Sequence, residues 1–398
     1  MDSLKPNIKR FCIAVCAAAL VFALFCAANP SDDNLSAPGN NIYVSTEADL
    51  RAEVANAQDG DVIVVTADIT LYSMIYVGSK HITITGDGSG VTLTRGAGFN
   101  TSTDSNRGSY NPGMFEVATN VLDPNDTASL TLENITLDDA LDPDVLLHFE
   151  PFPNDGGTGM SNWADRVYDS VISTYSPNAT ITLGSGANII NVGGASAVRM
   201  TGGVLNLEPG SYVEGSNASH RNSVNKYFGA IWLQGTAVLN FNTAIDNKTF
   251  IAPYIHSDYP TTVNFNGSIT KCDLAQPLFR NYAGNGYEVH LSPASKINGN
   301  TFRSTAFVLG GSNITFGSDG EINDNKLVNA GIFSFSGNNN SVEFNGTIDR
   351  NNNVGSNSEA AHLIYVGGSG NTVDISGEIK GNILGSGSTT GSSVMMLR

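Results

Sequence analysis

The chain has 398 residues, of which 14% are charged and 43 are glycine, and its formal net charge is −17 at neutral pH. A chain this acidic, with no basic stripe or interleaved aromatics, repels phosphate backbones, and this excludes nucleic acid as a partner. Its polar, uncharged, Gly-rich make-up argues against a helical globule, and its regularly spaced apolar residues argue against disorder.

Lys5, Lys9 and Arg10 precede an apolar run at 11–28 that closes on Cys26-Ala27-Ala28 before Asn29-Pro30. A basic start, an apolar stretch and small residues at its end read as a signal peptide over 1–28. The run is also just long enough to be an uncleaved bilayer anchor. The polar spacer at 29–40 favours cleavage, which leaves no membrane span in the mature chain. Cys12, Cys16 and Cys26 leave with the leader, so Cys272 stands alone and no internal disulfide is expected. Export with so few cysteines suits a bacterial secreted or cell-surface protein.

The mature domain, 41–398, opens on a strand at Asn41-Ile-Tyr-Val44. Thr46 with Asp49 three residues later is an N-cap signature, and Leu50, Val54 and Ala57 share one face of the helix that should follow. Asp59-Gly60-Asp61 then turns the chain into Val62-Ile-Val-Val65. Such a helix would cover the first sheet edge, which otherwise recruits other chains; a partner-binding helix is the rival reading. Short strands are expected at 75–77, 82–84, 91–93, 114–117 and 130–137. The rhythm breaks near 138–170, resumes at 181–183 and 205–207, and breaks again near 214–228.

From Leu239 a phrase recurs, most plainly as Val342-Glu-Phe344-Asn-Gly346-Thr-Ile348-Asp-Arg-Asn351. Its copies begin about 24 to 31 residues apart, within the range of solenoid arrays. Apolar residues at every second position describe a strand with one dry face and one wet face. Two residues before the last Ile sits Thr243, Gly267, Ser295, Gly320, Gly346 or Gly377, small enough for a neighbouring layer to approach. Two copies carry two extra residues before the small one, which preserves parity, so the phrase reads as one strand. Asn300, Asn325, Asn351 and Asn382 stand three residues after that Ile, with Lys248 and Cys272 in the other copies. Asn suits the left-handed backbone of a tight corner, and stacked Asn side chains bond one another up a column. These four are therefore the expected structural ladder; an Asn that merely marks loops is the alternative.

Each copy is preceded by a second apolar run, such as Ala230-Ile-Trp-Leu233 or Leu363-Ile-Tyr-Val366. With short strands, Gly- and Asn-rich corners and no helical period, residues 41–398 resemble the right-handed parallel β-helix, or pectin-lyase-like, family of secreted and surface proteins. The resemblance implies an all-β solenoid with a short N-terminal capping helix. It leaves activity open, because this fold hosts lyases, hydrolases, adhesins and structural spikes. Its pectin-degrading members carry Asn-Thr-Asp, Gly-His-Gly, Arg-Ile-Lys and Trp-Ile-Asp-His signatures, and none is present here.

The insertions near 138–170 and 214–228 are where chemistry would sit, since loops on a regular scaffold usually carry function. Asp138, Asp139, Asp142 and Asp144 offer hard oxygen ligands suited to Ca²⁺, the one cofactor the sequence suggests, but without EF-hand spacing; a solvated acidic loop is the bland alternative. His220-Arg221 reads as surface loop, and Cys272 as a small ladder substitute. Two functions follow. The first is a non-catalytic, adhesin-like surface module that binds glycans or a host or cell-surface protein, or acts as a spacer. The second is a polysaccharide lyase or glycoside hydrolase with its site in the two insertions. Absent motifs and few Arg or Lys bases in the regular coils favour the first. Finally, Val394-Met-Met-Leu397 matches the runs that open a coil. An uncapped last layer invites stacking, so the expectation is a fragment, or an end covered by another chain.

Overall fold

A computed structural model of the chain describes residues 39–397 except 89, 101–112, 118–126, 141–169, 193–195, 216–228, 251–252, 258–259, 282–283, 355–361 and 385–392. The leader, nearly all of the spacer and most of both insertions lie outside the described residues, as do Asp142, Asp144, His220 and Arg221.

Helix α1 (Glu47–Asn56) begins where its cap predicts: the Thr46 hydroxyl accepts the Asp49 N–H at 3.2 Å and donates to the Asp49 carboxylate at 2.7 Å. Leu50, Val54 and Ala57 are buried, and the helix packs on the first strands of the domain. Among the described residues no helix is long and apolar enough to cross a membrane.

The strands stack into a parallel β-helix. Sheet A has twelve strands, running from Asn41–Val44 to Thr372–Ile375. Sheet C has eleven, running from Ile75–Gly78 to Ser393–Leu397. The third side changes along the stack. Early coils contribute one strand each to the five-stranded sheet B, from Ile69–Ser73 to Tyr212–Val213. From Ala244 onward the six strands of sheet D and the five of sheet E share it. Neighbours within each sheet pair in parallel, with register shifts in the first coils after Leu71 and Tyr76 and an unbroken register further along, for example Leu205 with Leu239 and Phe241 with Phe265.

Parity dictates the core. The inward positions of sheet A stack Leu130, Ile181, Leu205, Leu239, Val263, Val289, Phe316 and Val342 in one row, all essentially inaccessible. Phe241 and Phe265 stack face to face with centroids 4.4 Å apart. Further along, Phe316, Phe333 and Phe344 pack at centroid distances of 4.9 to 5.5 Å.

The structure corrects two expectations. The repeated phrase is two strands, not one: Val342 and Phe344 lie in Ser341–Phe344 of sheet A, whereas Ile348 lies in Thr347–Asp349 of sheet D. The small residue sits at the bend between them. A Cβ built on Gly346 would lie 2.1 Å from the Gly320 carbonyl oxygen of the preceding coil, so that coil's backbone sets the size limit. The left-handed residue is also not the ladder Asn but the one before it. Asn247, Lys271, Gly299, Asp324, Arg350 and Gly381 all have φ between 52° and 70°. The turn is made by that residue, which frees the next one to point inward.

Candidate functional site

The Asn column lies inside the stack. Asn300 Nδ2 donates to Asn325 Oδ1 at 3.1 Å, Asn325 Nδ2 to Asn351 Oδ1 at 2.9 Å, and Asn351 Nδ2 to Asn382 Oδ1 at 2.9 Å. Each Nδ2 also donates to a carbonyl one coil earlier, those of Ile269, Ile297, Ile322 and Ile348, at 2.8 Å. Cys272 continues the column by substitution, its Sγ accepting the Lys248 N–H at 3.4 Å and donating to the Ile245 carbonyl at 3.9 Å. Burial pushes this thiol up from its ordinary pKa, which leaves it protonated and unreactive. The first three asparagines are fully buried, so the column holds corners together and meets no ligand.

Of the proposed Ca²⁺ ligands, Asp138 and Asp139 are described and turn different ways. Asp138 accepts from Asn191 Nδ2 and the Ala140 N–H, both at 2.8 Å. Asp139 is buried and pairs with Arg95 Nε at 2.5 Å. Among the described residues no three His, Cys, Asp or Glu side chains stand together to hold a metal ion.

Two other surfaces gather chemistry, and neither was singled out in the sequence. The first is a groove of about 490 Å³ on the outer face of sheet A. Register places Asn240, Asn264, His290, Gly317 and Glu343 in one row across five strands. A flanking row at the strand ends supplies Asn266, Ser292, Asp319 and Asn345. Asn264 donates to Asn240 at 2.9 Å, and Asn240 to Asn206 at 2.8 Å, so the amides are oriented by one another. Asn345 Nδ2 donates to both Asp319 Oδ1, at 2.9 Å, and Glu343 Oε1, at 2.7 Å. His290 lies 3.4 Å from Glu288. Gly317 carries no side chain in mid-row, and a Cβ there would meet only His290 Nδ1, at 3.6 Å. The missing side chain opens the floor of the groove.

The second surface is a row on sheet C. Pairing aligns Glu116, Ser173, Arg199, Trp232, His256 and Arg280, one residue from each of six successive strands. Every one is buried, whereas the outward residues of sheet A from Thr180 onward are half-buried or exposed. The Arg199 guanidinium lies 4.5 Å from the Trp232 ring centroid and 5.3 Å from that of Tyr175, and Nη2 donates to Gln234 Oε1 at 3.0 Å. Trp232 meets His256 edge to face at 6.3 Å. In chain order, residues 101–112, 141–169 and 216–228 all directly precede strands of this sheet.

No protein-family model and no curated protein matches the chain. A solved structure described as L. reuters 100-23 SRRP is similar to it at 12% identity and a TM-score of 0.44, over 90% of this chain and 99% of that one.

Proposed function

We propose that this chain is a non-catalytic, adhesin-like β-helix module, exported to the cell surface or secreted, that holds a glycan in the groove on sheet A. The observation that carries the reading is a pair of rows of half-buried and exposed amides and carboxylates fixed in register around an open floor at Gly317. A sugar hydroxyl both donates and accepts, and so does an Asn side chain, so neutral amides can recognise it without the cost of stripping water from a charge. Strands stack at roughly 4.8 Å, so the groove repeats its polar groups along the stack axis, as a polymeric ligand requires. Calorimetric titration against a panel of soluble glycans tests this. Gly317→Tyr fills the floor and should abolish the binding that the native chain shows. Undiminished binding by that variant would remove the groove from consideration.

The row on sheet C supports a second reading, a polysaccharide lyase or hydrolase served by the insertions that precede that sheet. Glu116, His256 and Arg280 are residue types that acid–base chemistry on an acidic sugar uses. The binding reading is preferred because these side chains are only 1 to 6% exposed and Arg199 is already held by Gln234, Tyr175 and Trp232. Reducing-sugar release or new 235-nm absorbance from a polysaccharide panel, abolished by His256→Gln, would reverse that preference.

A further inference from the structure

The groove on sheet A changes character along its length. Asn240 and Asn264 make one end neutral, with each amide already aligned by its neighbour. At the other end Asp319 and Glu343 share a single donor, Asn345 Nδ2, which sets the two carboxylates side by side. Among the described residues neither carboxylate has a cationic partner, and no lysine or arginine lines the groove. Two like charges gathered on one neutral donor favour a cation that can reach both of them. Gly317 leaves room for one between His290 and Glu343, where every other strand of the row projects a side chain.

We infer that the ligand of this groove is an amino sugar with a free, protonated amine: a glycan built from hexosamine units that are not N-acetylated. Its hydroxyls meet the amides of Asn240 and Asn264, and its ammonium group bonds Asp319 and Glu343. The chain's net charge of −17 points the same way, since an acidic surface attracts a cationic polymer and repels a uronate one. An N-acetylated sugar would place a neutral amide against both carboxylates and leave their charge unpaired. The inference rests on the glycan reading given above and adds the sign of the ligand's charge.

The test titrates the intact mature chain with glucosamine oligomers and with fully N-acetylated oligomers of the same length, at mildly acid pH and at low and high salt. The amine form should bind roughly tenfold tighter, as two exposed ion pairs would provide, and salt should shrink the difference. Asp319→Asn with Glu343→Gln should bring the ratio of the two affinities to about one, whereas Asp319→Glu with Glu343→Asp should keep the amine form ahead. Equal binding of the two oligomers, or a preference that survives the neutralising pair, overturns the amino-sugar assignment and leaves the glycan groove standing. If neither oligomer nor any panel glycan binds, both readings fall together.

Discussion

Asn325 and Asn351 are joined twice: the side-chain amide of Asn325 donates to Asn351 Oδ1 at 2.9 Å, and the backbone N–H of Asn325 donates to the same oxygen at 3.0 Å. Asn325 Oδ1 in turn accepts the Asn300 backbone N–H at 2.9 Å. Truncating Asn325 to Ala therefore strands the Asn300 N–H and the Ile297 carbonyl in a site that is 1% exposed. The expected loss is about 1–3 kcal/mol. Urea melts of Asn325→Ala check it, and a neutral result would mean that water or a backbone shift satisfies both groups.

Cys272 occupies the same column with weaker partners, its sulfur receiving the Lys248 N–H at 3.4 Å. Replacing it by Asn should extend the ladder by one rung and raise stability by about 1 kcal/mol. The native thiol, buried and held protonated, should resist alkylation until the chain unfolds. Rapid labelling of the folded protein would contradict that burial.

How far the sequence could be read follows from these columns. The Asn ladder was visible because one residue type recurs at one distance from an Ile, and the helix because its cap and buried face are local. The break between sheets A and D was hidden: the strands on either side of Gly346 keep the same in–out alternation, so parity alone cannot reveal the bend. The left-handed corner was misplaced by one residue because Asn247, Lys271, Gly299, Asp324, Arg350 and Gly381 share a backbone angle and no chemistry. The rows on sheets A and C are less legible still. Arg199, Trp232 and His256 are 33 and 24 positions apart in sequence and become neighbours only once register is known.

Two glycines should respond differently to the same added methyl group. Gly346→Ala drives a methyl group into the Gly320 carbonyl, 2.1 Å from where its Cβ would lie, and should cost about 1–3 kcal/mol as the coils are pushed apart. Gly317→Ala meets nothing closer than 3.6 Å and should leave stability within about 0.5 kcal/mol. Paired thermal melts separate the two. Equal effects would show that the bend, and not the contact, fixes the small residue.

Alkali should weaken the fold through its buried acids. Burial pushes the Tyr254 and Tyr287 phenols well above 10.0 and raises Tyr212 and the Cys272 thiol as well. The unfolded chain releases these protons at its ordinary pKa values while the folded chain keeps them. The stabilisation is therefore complete below about pH 9 and is lost as pH rises through and beyond 10. Tyr254 and Tyr287 hold their hydroxyls on the carbonyls of Val213 and Gly310, both at 3.1 Å, so no stabilising bond forms on ionisation. Urea midpoints measured from neutral to strongly alkaline pH should fall across that window, with the tyrosinate absorbance of the buried phenols, as distinct from that of exposed tyrosines such as Tyr43 and Tyr72, appearing only on unfolding. A midpoint that stays level past it would mean these phenols ionise in place.

Lys271 carries the corner that glycine makes in the next coil, with φ of 53° against 70° at Gly299. A side chain in that region costs about 1–2 kcal/mol, whereas a new glycine gives back up to about 1 kcal/mol through the looser unfolded chain. The ion pair that would be lost is slight: Lys271 Nζ lies 3.7 Å from Asp246, and both side chains are more than half exposed. Lys271→Gly should therefore stabilise the protein by about 0.5–1 kcal/mol. Lys271→Val places a β-branched residue at positive φ and should cost more than about 1 kcal/mol. Lys271→Pro should be worse again, since proline cannot adopt that φ and removes the N–H that donates to the Asn298 carbonyl at 3.1 Å. The ranking Gly, Lys, Val, Pro in thermal melts is the measurement. A valine variant as stable as the native chain would show that the corner relaxes out of the left-handed region at little cost.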